Sequence, residues 1–260
     1  MVAISVRMRI APLLLALFVV SCAAHKIDPL TPASLNAVVA APDRTDADKA
    51  LDPGRKPVDF LEFTQVGEGM KVADLMAGGG YTVELLSRAV GPKGVVYGEN
   101  PKLILEKFAE KPWAERLARV PNAKRLDREL DDPFPTELQH QLDLVVSNAI
   151  YHDSVWLQVD RAKMNQSVYR ALKMGGFYVV CDSSAKEGTG VQDVQSLHRI
   201  DEQVVREEVA KAGFKLDSVG TFLRNPNDTR DWSASPSAAG EKRGTSDRFC
   251  LRFVKPVVFY

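Results

Sequence analysis

The chain has 260 residues, 45% hydrophobic and 26% charged, with 34 Lys+Arg against 34 Asp+Glu. These proportions exclude a disordered or low-complexity chain and require a buried apolar core. A net charge of zero supplies no positive field for nucleic acid, and three cysteines without a Cys-x-x-Cys pair cannot make a disulfide scaffold.

Met1 to Arg9 carries Arg7 and Arg9 and no acid, Ile10 to Val20 is apolar apart from Pro12, and small residues follow at Ser21, Cys22, Ala23 and Ala24. That is a charged n-region, an apolar h-region and a small-residue exit, so 1–24 is expected to be an export signal. Val19-Val20-Ser21-Cys22 resembles the bacterial lipobox. Cys22 is then the lipidated residue and the mature chain sits on the periplasmic side, held to the membrane by that anchor alone. A simple signal cut after Ala24, or an uncleaved anchor, is the alternative.

Residues 25–54, rich in Ala, Pro and Asp, predict a tether with helix starts at Thr31-Pro32 and Thr45. One domain is expected over 55–260. Its elements begin with a short amphipathic helix at Pro57 to Phe63, a buried strand at Lys71 to Leu75, a helix at Tyr81 to Val90 and a strand at Val95 to Glu99. A helix from about Leu103, broken near Pro112, comes next. Leu142 to Val146 and Gly175 to Cys181 are apolar strands joined by a helix of about fifteen residues, and Asp193 to Ala212 is one long helix ended by Gly213. Phe214 to Val219 and Arg248 to Val254 are the last strands, with no helix between them, so they pair antiparallel at the edge. The segment from Leu223 to Ser246 is long enough that it is either disordered or covers a site. This alternation means a doubly wound, mostly parallel α/β sheet with helices on both faces.

Chemistry concentrates after the first strand, in Asp74-Leu75-Met76-Ala77-Gly78-Gly79-Gly80-Tyr81. A strand ending in a glycine turn that opens a helix lets a ligand approach backbone N–H groups. The nicotinamide fingerprint is not met, because its third glycine falls on Val83, and no phosphate-loop Gly-Lys-Ser/Thr follows. Glu99 ends the second strand, where a carboxylate can accept ribose hydroxyls; a charge at a helix start is the alternative. Asp127, Asp131 and Asp132 fall in a loop before Pro133. Beyond the strand at Leu142 to Val146 lies Asn148-Ala149-Ile150-Tyr151-His152-Asp153. There His152 serves either as a general base steadied by Asp153 or as a structural cap. His25, His140 and His198 show no metal-ligand spacing with it, so no metal centre is expected.

These residues resemble motif I of the class I S-adenosylmethionine-dependent methyltransferases over about Val58 to Pro256, with Met76 standing where the family usually has its first glycine. Within that class, the glycine run and Tyr151-His152-Asp153 resemble a group of bacterial predicted methyltransferases that often carry signal peptides. The resemblance implies a Rossmann-like seven-stranded sheet whose last strand is antiparallel. It also implies an enzyme that binds S-adenosylmethionine through Asp74, Ala77, Gly78, Gly80, Tyr81, Glu99 and Asp131. Asn148, Tyr151 and His152 would face an unknown methyl acceptor, a small molecule rather than a macromolecule. A nicotinamide oxidoreductase, or a non-catalytic envelope lipoprotein that keeps the fold for binding, are the rivals. Export separates the chain from the cytoplasmic supply of the donor. In the family's strand order Cys181 and Cys250 lie on neighbouring strands, where two reduced, buried thiols are expected.

Overall fold

In the computed structural model, which describes residues 27–257, the alternating pattern becomes one seven-stranded sheet with apolar clusters on both faces. The export segment, with Cys22 and His25, lies outside the described residues. Four helices come first: α1 (Pro32–Val39), α2 (Asp46–Lys49), α3 (Asp52–Arg55) and α4 (Pro57–Thr64). Thr31 and Thr45 cap α1 and α2 by accepting from the Ser34 and Asp48 amides, as their positions predict. This region is built into the fold, because Leu35 of α1 is buried in one cluster with Phe60 and Leu61 of α4.

Strands β1 (Lys71–Asp74), β2 (Val95–Asn100), β3 (Ala123–Asp127), β4 (Leu142–Asn148) and β5 (Leu172–Ser183) are parallel; β6 (Lys215–Gly220) and β7 (Arg248–Val254) complete the order β3-β2-β1-β4-β5-β7-β6. As expected, β7 is antiparallel, and it pairs with both β5 and β6. Strand order reverses between β1 and β4, so the crevice for a ligand opens beyond the carboxyl ends of these two strands. Helix α5 (Tyr81–Val90) follows β1 directly.

Four local expectations are corrected. After β2 the chain runs through α6 (Lys102–Ile104), a π turn (Leu105–Ala109) and α7 (Glu110–Leu117), and Pro112 does not break it. Pro112 stands in the first turn of α7, where a missing N–H is tolerated. The single helix between β4 and β5 is two, α8 (Tyr151–Trp156) and α9 (Arg161–Ala171), divided at the left-handed Gln158. The long helix is likewise α10 (Val194–Leu197) and α11 (Glu202–Lys211). His198 turns left-handed, Ile200 bridges to Ser184, and buried Arg199 pairs with Asp228 at 2.8 Å. That pair and Asp247, which accepts the Asn225 amide at 2.8 Å, anchor the loop between β6 and β7.

The fourth correction concerns the cysteines. The β5–β7 register sets Cys181 opposite Cys250, and the two form a disulfide in place of the expected free thiols.

Candidate functional site

The turn after β1 is shaped by the last two residues of β2. The Glu99 carboxylate accepts the Met76 amide at 2.9 Å through Oε2, the Glu99 carbonyl accepts the Ala77 amide at 2.8 Å, and Asn100 Oδ1 accepts the Gly78 amide at 2.8 Å. Met76 is thereby held left-handed, at φ 44°, a backbone conformation that glycine adopts more readily. Gly78 and Gly80 are also left-handed, but their surroundings differ. A Cβ on Gly78 would meet nothing within 4 Å, whereas a Cβ on Gly80 would lie 2.7 Å from Arg116 Cδ. Gly78 alone of the two faces open space; Gly80 makes room for protein.

Two carboxylates flank the turn. Asp74 is 3% exposed and accepts no hydrogen bond from the described residues; burial drives its pKa up to about 8, against the pull of the Arg55 charge. Glu99 is closed from solvent and its Oε1 lacks a partner. Burial, above all, raises its pKa well above the ordinary carboxylate range, partly offset by the Met76 amide. An orphaned buried oxygen and the open space over Gly78 are what a bound ribose and nucleoside would satisfy, so the residues present fit the nucleotide half of S-adenosylmethionine. Solvent reaches Glu99 only if the covering side chains move.

The N-terminal helices complete this side. Tyr81 Oη donates to Asp52 at 2.6 Å, and the Arg55 guanidinium lies 4.2 Å from the Tyr81 ring centre. Burial lowers the Arg55 pKa, and no carboxylate among the described residues pairs with it. Arg116 donates to the Gly79 carbonyl at 2.6 Å and pairs with Asp48 of α2 at 2.8 Å and with Glu84. Sequence reading missed Asp48 because it sits in the stretch whose composition resembles a tether, and Arg55 because it stands between that stretch and the first predicted element. Asp131 lines a cleft of about 300 Å³ with Pro101, Ile104, Leu130 and Glu129, beyond β3. Asp127 belongs to β3 itself rather than to the loop.

At the end of β4 the expected acceptor residues part company. Asn148 stays at the mouth, its Nδ2 3.5 Å from Thr82 Oγ1. Tyr151 does not face an acceptor: its ring is fully buried, and its hydroxyl joins Glu208 at 2.9 Å and Asn165 at 2.8 Å in the packing of α8, α9 and α11. His152 is pinned by Asp182, whose Oδ1 meets Nδ1 at 2.8 Å and whose Oδ2 accepts the His152 amide at 2.8 Å. Its Nε2 lies 3.1 Å from Asp153 Oδ1. Burial pulls the imidazole pKa down, but Asp182 and Asp153 outweigh it and raise it to about 10. The expected general base therefore already carries its proton at neutral pH. His198, which the sequence suggests as a mid-helix residue, comes to 3.3 Å from His152 Nε2 through Nδ1. A separation of 46 residues gave no spacing signal for that meeting.

The fold is that of the class I S-adenosylmethionine-dependent methyltransferases. No protein-family model matches the sequence. A SAM-dependent methyltransferase from Aquifex aeolicus superposes with a TM-score of 0.56 at 17% identity, over 87% of this chain and 99% of its own. One from Mesorhizobium loti gives 0.53 at 20% identity, over 78% and 99%. The [4+2]-cyclase SpnF gives 0.55 at 14% identity, over 90% and 98%. The last shows the architecture in a protein named for another reaction, so the site and not the fold must carry the function.

Proposed function

We propose that the chain binds S-adenosylmethionine at the β1–α5 turn and transfers its methyl group to a small-molecule acceptor at the ends of β4 and β5. The observation that carries this reading is the pairing of open space at Gly78 with the unpartnered Asp74 carboxylate beside it. S-adenosylmethionine supplies an electrophilic methyl on a sulfonium, together with an ammonium and a carboxylate. In this reading Asp74 receives the cationic part, Arg55 the carboxylate, Glu99 the ribose and Asp131 the adenine. The chain's task is alignment, since displacement at the methyl carbon needs the nucleophile directly behind it. Asn148 and His152 border the acceptor space. A charged His152 offers a hydrogen bond to a developing anion more readily than it removes a proton.

With its pKa near 8, Asp74 is largely protonated at pH 7. A cation placed against it favours the carboxylate, so donor binding should release up to one proton and tighten as pH rises towards 8. Calorimetric titration at pH 7 in buffers of different ionisation enthalpy measures this directly. The buffer dependence should vanish in Asp74→Asn. A donor that binds with no proton release in the parent chain would rule out Asp74 as its partner.

We further infer that the mature chain is exported and anchored through Cys22. The Cys181–Cys250 disulfide supports export, because such bonds persist in oxidising compartments. Intact mass of protein taken from its native cells should read both the two missing hydrogens and an acyl group on Cys22. Reduction should then cost about 2–4 kcal/mol of stability. Free thiols in the native protein, or an N-terminus at His25 without lipid, would reject the reading.

A further inference from the structure

We propose that His152, Asp153 and His198 form a binding site for a divalent transition-metal ion, zinc being the reference case. Their ligand atoms close a small triangle: His152 Nε2 to Asp153 Oδ1 is 3.1 Å, His152 Nε2 to His198 Nδ1 is 3.3 Å, and His198 Nδ1 to Asp153 Oδ1 is 3.8 Å. Ligands about 2.0–2.1 Å from a tetrahedral zinc stand about 3.3–3.4 Å from one another. The triangle is of that size. Its vertices come from two places, the start of α8 and the left-handed residue that ends α10, with β5 behind them.

The surroundings of His152 are those of a metal ligand. Asp182 is fully buried and accepts at Nδ1, which fixes the tautomer and aims the Nε2 lone pair at Asp153 and His198. A carboxylate behind the distal nitrogen of a ligating histidine is the usual outer-shell arrangement at metal sites. Asp182 is itself held, its Oδ1 accepting the Ser183 amide at 2.7 Å. The ligand side chains grade from buried to open, with His152 8%, Asp153 20% and His198 31% exposed, so one side of the site faces outward. Asp153 Oδ1 also accepts from Trp156 Nε1 at 2.7 Å, which holds that carboxylate in place.

Two imidazoles and one carboxylate with a free position is the donor set of catalytic zinc and of non-haem iron(II), and it disfavours magnesium and calcium. A lone-pair ligand such as water, a hydroxyl or a thiol completes the coordination, and the ion lowers its pKa. Ion binding needs neither methyl donor nor acceptor. A role in acidifying the acceptor rests on the methyl-transfer reading above.

The full mature chain, stripped with a chelator, is titrated with zinc against a chromophoric competitor while the histidine ring signals are followed by NMR. One equivalent should bind saturably and shift the His152 and His198 signals but not those of His140. His198→Asn removes one ligand while keeping a residue that tolerates the left-handed backbone, and it should weaken binding at least tenfold. Asp182→Asn should weaken it about 10–100-fold while leaving all three ligands in place. Cobalt(II) in place of zinc should give a visible absorption spectrum that His198→Asn abolishes. No saturable binding, shifts at His140 instead, or unchanged affinity in a folded His198→Asn chain would each overturn the proposal. None of these readings depends on whether the protein methylates anything.

Discussion

Gly78→Val is expected to weaken S-adenosylmethionine binding by at least about 100-fold, equivalent to about 2.7 kcal/mol, in a chain that still folds. At Gly78 the backbone is left-handed, so any side chain brings strain of about 1–2 kcal/mol, but the space around its Cβ is open. The cost therefore falls on the ligand that must lie against the main chain. Gly80→Ala is the contrasting variant. Its methyl would press on Arg116, which also holds the Gly79 carbonyl and Asp48, so it should lower thermal stability first and affinity second. Calorimetric titration and thermal melts of both variants separate the two effects. Parent-like affinity in a folded Gly78→Val chain would put the donor elsewhere.

Glu84→Gln should destabilise the fold by about 3–5 kcal/mol, the range for breaking a buried ion pair from one side. Its carboxylate is 1% exposed and faces three guanidiniums, pairing with Arg88 at 2.7 Å, Arg119 at 2.9 Å and Arg116. The amide leaves three cations without their shared counter-charge. Because Arg116 also joins the glycine turn to α2, the loss should loosen the cofactor side and the N-terminal helices together. A melting temperature lower by roughly 6–20 °C follows for a chain of this size. The same group sets a pH dependence. Burial alone would raise the Glu84 pKa, but Arg119, Arg88 and Arg116 hold it below the ordinary 4.5. A depressed folded pKa stabilises above the unfolded value, so the contribution is complete above about pH 5 and is lost as pH falls through 4.5 and lower. Denaturant midpoints from pH 7 to pH 3 should drop for the parent and flatten for Glu84→Gln. Equal slopes would assign the acid sensitivity to other carboxylates.

Six of the seven strands, the helix after the first glycine turn, the helix caps at Thr31 and Thr45 and the antiparallel last strand were legible in the chain, because each depends on local periodicity, capping chemistry or an uninterrupted apolar run; β3, charged and only partly buried, was not. The turn after β1 was legible too, since Asp74, Gly78 and Gly80 stand in one short segment and Glu99, whose carboxylate and carbonyl hold that turn, ends the next strand. What tertiary structure decided lies between distant segments. The long helix before β6 was divided at residues whose partners are elsewhere, as Arg199 pairs with Asp228. Tyr151 was drawn into the core by Glu208 and Asn165, away from the acceptor its position suggested. Cys181 and Cys250 met because a β5–β7 register set them opposite one another, across 69 residues of chain. His198 reached His152 only because Ile200 bridges to Ser184 and turns the chain back after α10. The sequence by itself determined most of the strands and helices and where a glycine turn leaves the backbone open. Which side chains are buried together, and hence which share hydrogen bonds, ion pairs or a disulfide, was decided by packing, since contact energies act through space and leave no mark in sequence spacing.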